Sequence, residues 1–292
     1  MAVQTAPAAA APRRPASGFL RRLSLIRESP VGVVGAFLVL FWVVVAILAP
    51  WIAPFDPNES DYTTLLDPTP SALHWLGTDH QGRDILSRII WGSRTVLVVA
   101  PIAVFSAYVV GSLMGLVAGY YRGWVDNVLT RVSDIILSFP VIILYMIIIA
   151  VFGPSALNII LAVTFVASPQ IARIVRGLTL ELREQDFVAA AKMRGEPPFY
   201  IMLVEILPNA RGPLIVDACL RMGYTTITIG VLGFLGLGLP PPDPDWGGMI
   251  KDTYGMVSVH PHMVLIPCAA ISSLVLGFNL LADGLREISL RD

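Results

Sequence analysis

Six long apolar runs, separated by shorter polar stretches, make up most of this chain. Each run is close to the ~20 residues that an α-helix needs to cross the hydrocarbon core of a bilayer. The pattern predicts membrane-spanning helices at residues 32–53, 94–120, 133–152, 156–175, 213–238 and 263–282. The expected fold is therefore an all-α membrane protein with six transmembrane helices.

Basic residues are distributed unevenly about these spans. Residues 1–31 form an Ala- and Pro-rich arm with five arginines, and the apolar run behind it is too long for a cleaved signal peptide. If this arm is cytoplasmic, the opposite side receives few basic residues, namely Arg83, Arg88, Arg94 and Lys251. The positive-inside rule then predicts that both termini are cytoplasmic. Segments 54–93 and 239–262 face outward, and residues 94–292 form a five-helix core.

Composition supports a bilayer, rather than water, as the main solvent. The chain is 55% hydrophobic and 14% charged, whereas soluble domains have about 25% charged residues. Its net charge of −1 gives no positive field that would favour nucleic acid as a partner. Cys219 and Cys268 lie in apolar runs, where cysteines usually serve as packing residues.

The polar segment at about 176–212, between the fourth and fifth spans, has two helix patterns around a glycine. Asp186 to Arg194 predicts a short helix with Asp186 as its N-cap and Gly195 as the residue that follows its C-cap. A proline pair then opens a second helix, which is expected to end at Pro208. The apolar stripe of this second helix consists of Phe199, Met202, Leu203 and Ile206.

This helix–Gly–helix elbow (residues 186–209) has two interpretations. The first helix has a small face, formed by Phe187, Ala190 and Ala191, that suits docking into a groove of another protein. Alternatively, the elbow is an interfacial hairpin that only connects two spans. The pattern alone leaves both interpretations open.

The elbow resembles the loop signature of the inner-membrane permease subunits of binding-protein-dependent ABC importers. That signature is Glu-Ala-Ala, three residues, Gly, nine residues, Ile, one residue and Leu-Pro. The positions in register with its triplet, its Gly and its Leu-Pro are Ala189, Ala190, Ala191, Gly195, Leu207 and Pro208. Ala189 replaces the usual Glu, and Glu205 stands where Ile is usual. The first departure removes the carboxylate that would make any specific ion pair with the ATPase there, but it does not remove the elbow geometry.

Three further stretches resemble the dipeptide/oligopeptide/nickel group of these permeases. They are HWLGTDHQGRDILSRIIWGSRTVL (74–97), GFLGLGLPPPDPDWGGMI (233–250) and FNLLADGLRE (278–287). The long segment after the first span is similar to that of the second permease of such a pair. The resemblance implies a bacterial inner-membrane subunit with a paralogous permease, two ATPase subunits and an extracytoplasmic substrate-binding protein as partners. Peptides, nickel complexes, glutathione and oligosaccharides all remain candidate cargoes.

The chain itself has no motif for ATP hydrolysis. A P-loop needs Gly-x4-Gly-Lys-Ser/Thr, and the two lysines, Lys192 and Lys251, lie in no such context. We therefore expect a non-catalytic subunit without a cofactor, in which the elbow transmits movement from separate ATPases. Gly195 is the most informative elbow residue, because a β-branched side chain there would disrupt the turn.

Candidate pore residues lie in the fifth span. Asp217 and Arg221 are spaced i, i+4 and could form either an intramembrane ion pair or part of the translocation path. Related permeases often have an acidic residue at the position of Ile229, so direct binding of a peptide ammonium group is less expected here. Three hydroxyl residues could line a polar path or bond back to the helix; they are Thr225, Thr226 and Thr228.

Charges of alternating sign precede the second span. Asp79, Arg83, Asp84 and Arg88 suit a solvated short helix, a docking surface for the binding protein or a gate contact with the partner permease. In the second outer segment, Trp246 is expected at the membrane interface.

Other functional classes leave different signatures. The chain lacks a His-Glu-x-x-His motif, and its four histidines fall outside the predicted spans. His260 and His262 could supply half of a metal site, but no matching ligands accompany them, so no metal is expected. His74 and His80 are expected to be solvated or capping residues. A channel or secondary transporter remains the alternative from a different class, although such proteins tend to have more intramembrane acidic residues.

Overall fold

The computed structural model describes residues 29–289, with side chains described up to Glu287. Most of the predicted N-terminal arm and the last residues of the tail lie outside this range. The helices, in chain order, are α1 Pro30–Ile52, α2 Ile85–Tyr121, α3 Gly123–Leu137, α4 Val141–Phe152, α5 Ala156–Leu182, α6 Asp186–Met193, α7 at 198–209, α8 Arg211–Phe234, α9 Trp246–Thr253 and α10 His262–Ser289. Single turns of 3₁₀ helix lie at Tyr62–Thr64 and Tyr254–Met256.

Five of the described helices are each long and apolar enough to cross a membrane: α1, α2, α5, α8 and α10. The third predicted span, at 133–152, is instead a bent pair, in which α3 and α4 meet at 85°. The prediction of one straight helix at 133–152 was therefore wrong. Pro140 explains the break, because proline cannot donate to a helix and disfavours helical backbone in the residue before it.

Helix α2 begins nine residues before the predicted start of the second span. Asp84 is its N-cap, and its carboxylate accepts a hydrogen bond from the Ser87 amide at 2.7 Å. Residues 85–93, expected in the outer segment, are therefore the first turns of this helix. The segment between the fourth and fifth spans, predicted at about 176–212, is also shorter than expected because α5 continues to Leu182. The fifth span ends at Phe234 rather than at 238.

The closest helix pair is α2 with α5, and glycines permit the approach. A Cβ atom on Gly111, Gly115 or Gly119 would lie within 2.6–2.7 Å of the backbone or side chains of α5. Helix α1 packs against α10 in a similar way, with Gly35 against the backbone at Leu281. The glycine stripe of α2 therefore serves helix packing.

Apolar side chains form two clusters at opposite ends of the bundle. One lies around Trp246, which is fully buried, packs on Trp42 with ring centroids 4.9 Å apart and donates a hydrogen bond to the Ile89 carbonyl at 3.0 Å. The predicted interfacial position of Trp246 was therefore wrong, since its indole N–H has a partner inside the protein. The other cluster joins α2 and α5 to the elbow.

Candidate functional site

The glycine turn of the elbow has the expected backbone geometry. Gly195 adopts a φ of +77°, its amide bonds to the Lys192 carbonyl at 3.0 Å, and the Glu196 amide bonds to the Ala191 carbonyl at 3.2 Å. These two bonds form a Schellman motif, which satisfies the last carbonyls of α6. One detail of the prediction was wrong: Gln185 is the N-cap residue, and Asp186 is the first residue of the helix.

The face of α6 that was predicted to dock a partner is largely buried, and a different face of the helix is exposed. Ala191 is fully buried and Ala190 half-buried, so the alanine face packs against the chain's own core. Ala189 is exposed, as is Met193, whose side chain is 84% accessible. The exposed apolar surface of α6 is therefore turned away from the predicted one, because the alanines fill the narrow space above α2 and α5.

Helix α7 has a wide turn that changes its buried stripe. It starts at Pro198–Tyr200, continues as a π-helix at Ile201–Ile206 and ends at Leu207–Asn209. The side chains buried against the core are Ile201, Met202 and Ile206, whereas Phe199 is 62% exposed. The predicted stripe assumed a period of 3.6, which a π-turn lengthens locally. Pro208 lies inside the last turn rather than beyond it, and Leu207 is half-buried.

Glu205, which departs from the family signature, has a partner within the elbow. Its carboxylate accepts a hydrogen bond from the Arg194 guanidinium at 2.8 Å, and Arg194 also lies 3.7 Å from Glu196. The residue beside the glycine turn is thus tied to α7. The pair joins both helices of the elbow into one unit.

The predicted ion pair in the fifth span is present. Arg221 Nε donates to Asp217 Oδ2 at 2.6 Å, and Arg221 Nη1 donates to Gln170 Oε1 of α5 at 3.1 Å. The Tyr108 hydroxyl of α2 donates to the same Asp217 oxygen. Because each charge has partners, burial of the pair between three helices is compensated.

A cavity of about 310 Å³ lies beside this pair, bounded by α2, α4, α5 and α8. Its apolar lining consists of Val104, Ala107, Val141, Val163 and Ala167, and its polar lining of Tyr145, Gln170, Arg221, Tyr224, Thr225 and Thr228. These positions fall near the middle of the membrane-spanning helices. An apolar cavity with a few convergent polar groups has the form of a small-molecule site.

The remaining pore candidates of the fifth span are threonines and Ile229, and their surroundings differ. Thr226 and Thr228 donate to the carbonyls of Met222 and Tyr224, so backbone bonding by these two hydroxyls is confirmed. Thr228 nevertheless also lines the cavity. Ile229 is 2% exposed and packs within the apolar core, so its position does not face the cavity.

The charges before the second span are buried. Asp79, Arg83, Asp84 and Arg88 are between 2% and 7% exposed, so the expected solvated helix was wrong. Asp79 accepts from Arg83 Nε at 2.7 Å, and Arg88 donates to the Pro57 carbonyl at 2.9 Å. These residues, which we call the outer charge cluster, hold the outer segment onto the start of α2. A docking or gating role stays a prediction, for which the exposed residues around the cluster would have to provide the contacts.

Two histidines have structural partners. His74 is buried, so the expectation that it is solvated or capping was wrong; its Nδ1 lies 2.9 Å from Asp84. His262 Nε2 donates to the Pro68 carbonyl at 3.1 Å and thereby ties the two outer segments together. Within residues 29–289 no group of three or more His, Cys, Asp or Glu side chains is arranged to hold a metal ion.

Asp245 lies next to the outer charge cluster. Its carboxylate caps α9 by accepting from the amides of Gly247 and Gly248, both at 3.2 Å. Burial raises the pKa of Asp245 to about 6, although the two amide bonds and the charge of Arg88 partly oppose that rise. This carboxyl therefore titrates much closer to neutral pH than an ordinary Asp.

Comparison with known proteins assigns this architecture. Residues 111–292 match the family model of the binding-protein-dependent transport system inner membrane component. This chain belongs to that family. Residues 19–68 additionally match the N-terminal transmembrane domain of oligopeptide transport permease C. The resemblance drawn from the elbow is thus confirmed, and the protein is a non-catalytic, multi-pass permease subunit of the inner membrane.

Individual relatives cover nearly the whole permease. The dipeptide transport system permease protein DppC of Alkalihalophilus pseudofirmus is 40% identical over 262 residues, or 90% of this chain and 86% of the relative. The glutathione transport system permease protein GsiD of Escherichia coli is 41% identical over 276 residues, or 94% and 90%. A chain of the inward-facing MetNI methionine ABC transporter superposes with a TM-score of 0.58 at 20% identity, covering 69% of this permease and 96% of that chain, which supports the fold.

Sequence reasoning missed three residues around the cavity of this permease. Tyr108, Gln170 and Tyr145 lie on three different helices and meet near Arg221 only in the folded chain. Gln170 carried a usable signal, because an uncompensated amide in the middle of an apolar span needs a partner. The two tyrosines carried none, since tyrosine is common in membrane helices for packing reasons.

Proposed function

We propose that this permease forms the translocation pore of an ATP-driven importer of di- or oligopeptides. It pairs with a paralogous permease, two ATPase subunits bind the elbows of the two permeases, and an extracytoplasmic binding protein delivers the substrate. In this arrangement both termini and the elbow are cytoplasmic. The observation that carries the proposal is the glycine-turned elbow with exposed Met193 and Phe199, in a chain whose near relatives include a dipeptide permease.

The exposed part of the elbow fits a protein partner better than a simple connection. Its buried side chains fix it to α2 and α5, while its exposed ones present apolar surface beside a membrane. An apolar patch rimmed by charges is typical of a protein interface. Rigid attachment to α5 and covalent continuity with α8 would pass a displacement of the elbow to both spans.

Glutathione is the second candidate substrate, because relatives that are 41% identical carry that substrate in their names. It shares with short peptides a free carboxylate and an amide backbone. Nickel complexes and oligosaccharides, which the sequence left open, have no comparable support among these relatives.

Uptake of a labelled tripeptide in source cells tests this function. Deletion of the chain should abolish uptake, the intact gene should restore it, and Gly195→Val should not, because φ +77° is unfavourable for a β-branched residue. Gly177→Ala is the matched control: Gly177 lies in helical α5 with nothing within 4 Å of an added Cβ. Uptake that survives deletion would refute peptide import, and labelled glutathione would be tried next.

Assembly provides an independent test. The tagged permease, solubilised in mild detergent, should copurify with ATPase subunits and with a second permease. A Gly195→Val variant that remains in the membrane but loses the ATPases would place their binding at the elbow. Retention of the ATPases by a variant lacking transport would instead place the defect in transmission of movement.

A further inference from the structure

Of the two charged residues beside the 310 Å³ cavity, only the positive one forms part of its lining. Arg221 lines it and has 13% of its side chain exposed, whereas Asp217 does not contribute to its wall. The partners of Asp217, which are the Tyr108 hydroxyl and Arg221 Nε, both donate to its Oδ2 atom. The pair is therefore neutral as a whole but presents its positive member to the cavity.

Arg221 retains hydrogen-bonding capacity. A guanidinium has five N–H donors, and the bonds that Arg221 makes to Asp217 and Gln170 use Nε and Nη1. Arg221 also contacts the Tyr108 hydroxyl, and the remaining guanidinium hydrogens are available to an acceptor that enters the cavity. Asp217 and Gln170 hold the guanidinium from two sides, so its position is fixed before a ligand arrives, which lowers the entropic cost of binding.

We infer that this cavity is a transient subsite for the carboxylate of the transported peptide, with Arg221 as its anion-binding residue. The inference rests on the proposed peptide import. A carboxylate accepts paired hydrogen bonds from a guanidinium. At about 310 Å³, the cavity accommodates the end of a peptide rather than a long chain. An ammonium group is disfavoured, because the lining contains no acidic residue.

The shape and lining of the cavity also suit brief binding of a substrate that moves on, rather than long-lived binding. Tyr224 lines the cavity and is 64% exposed, which marks its open side, while Tyr145 lies at a buried wall with 6% exposure. The hydroxyl of Thr228 bonds to its own helix. One charged group and few polar ones give a contact strong enough to orient a carboxylate but weak enough to release it.

The test uses the complete transporter, with both permeases, the ATPases and the binding protein, reconstituted in lipid vesicles. Maximal uptake rates are measured for a labelled tripeptide and for its C-terminal amide, at concentrations that saturate the binding protein. Two variants are compared with wild type: Asp217→Asn, which keeps the Arg221 charge but removes its counter-charge, and the double variant Asp217→Asn with Arg221→Gln. The ratio of the two substrates' rates is the readout, because a folding defect in either variant lowers both rates alike. The double variant leaves no unpaired charge, so a folding defect from a stranded Asp217 is avoided.

The wild type and Asp217→Asn should both prefer the free carboxylate over the amide. In the double variant the maximal rate for the free tripeptide should fall about tenfold, while that for the amide stays within twofold, as loss of one charged hydrogen bond would cause. Equal losses for both substrates, or equal behaviour of the two variants, would overturn the inference and leave a purely structural ion pair. Absence of any peptide uptake by wild type would refute the proposed function itself.

A second measurement detects the contact directly. p-Benzoylphenylalanine replaces the exposed Tyr224, and labelled tripeptide is photocrosslinked during ATP-driven turnover. Crosslinking should occur in the Asp217→Asn background and drop severalfold in the double variant. Crosslinking that is equal in both backgrounds would show that the peptide passes Tyr224 without using Arg221.

Discussion

The outer segment and the elbow are held to the same bundle by opposite means. The outer segment is fixed by buried charge, with Asp79 and Arg88 each 4% exposed. The elbow is fixed by a backbone motif at Gly195 and by apolar contacts of Ile201 and Ile206, and its charges remain near the surface. Sequence patterns suggested a docking surface in both places.

This difference bears on which part of the permease can move. A buried charge network is intolerant of partial separation, because each broken contact strands a charge away from water. Apolar contacts are non-directional, so a displacement of the elbow strands no charge. The elbow therefore suits transmission of movement, and the outer segment suits a fixed rim around the substrate entrance.

The largest expected effect comes from breaking the outer charge cluster. Asp79→Ala removes the carboxylate that accepts from Arg83 at 2.7 Å and lies 3.8 Å from Arg88 Nε. Two buried guanidinium groups would lose their counter-charge, so we expect a loss of about 3–5 kcal/mol in the free energy of unfolding. Thermal unfolding of the purified permease in nanodiscs measures this loss.

Asp134→Ala is the matched control for that experiment. Asp134 pairs with Arg173 at 2.5 Å, but both side chains are more than half exposed. An exposed pair contributes about 0–1 kcal/mol, so this control should barely shift the unfolding midpoint. Comparable shifts for both variants would contradict the contrast between the two regions.

The outer charge cluster also illustrates which features of the fold could not be predicted from the sequence. Spans were predictable because apolar length is a local property, and the Gly195 turn was predictable because a single residue type favours left-handed backbone. The burial of Asp79 was not, since its partner Arg88 lies at the start of α2 and also donates to the Pro57 carbonyl, an arrangement that only the fold brings together. The spacing of Asp217 and Arg221 predicted their pair, but their neighbours Tyr108 and Gln170 come from other helices.

The next smaller effect is a pH dependence of stability that comes from Asp245, beside the outer charge cluster. The pKa of Asp245 is about 6 in the folded protein against an ordinary 3.8, so the folded state binds this proton more tightly. Stability from this group is therefore present below about pH 4 and is lost as pH rises through 6. Asp245→Asn keeps one of the two acceptor oxygens that cap α9 and removes the titration. Its stability relative to wild type should rise by up to about 3 kcal/mol between pH 4 and pH 7. A difference that does not vary with pH would contradict this.

The contact of α2 with α5 tests whether the elbow rests on a rigid base. A Cβ on Gly115 would lie 2.6 Å from the carbonyl oxygen of Ala172, and a backbone atom cannot move aside cheaply. Gly115→Ala should therefore lower the free energy of unfolding by about 1–3 kcal/mol. Gly255→Ala, which has nothing within 4 Å of the added atom, serves as the control and should be close to neutral. Equal unfolding midpoints for the two variants would mean that the helices can separate without cost.

The smallest expected change in stability comes from a substitution in the elbow. The same substitution is expected to have a clear effect on transport. Gly195→Ala adds a Cβ with nothing within 4 Å, so its effect comes only from the φ of +77° and should be about 1 kcal/mol. Gly177→Ala has the same open surroundings in a helical backbone and should be neutral or slightly stabilising. Because α6 and α7 meet at Gly195, we expect tripeptide uptake to fall in the first variant, while thermal unfolding shifts by only a few degrees. If uptake were equal in both variants, the left-handed turn would not be needed for coupling, and transmission would have to rely on the Arg194–Glu205 pair and the apolar contacts of α7.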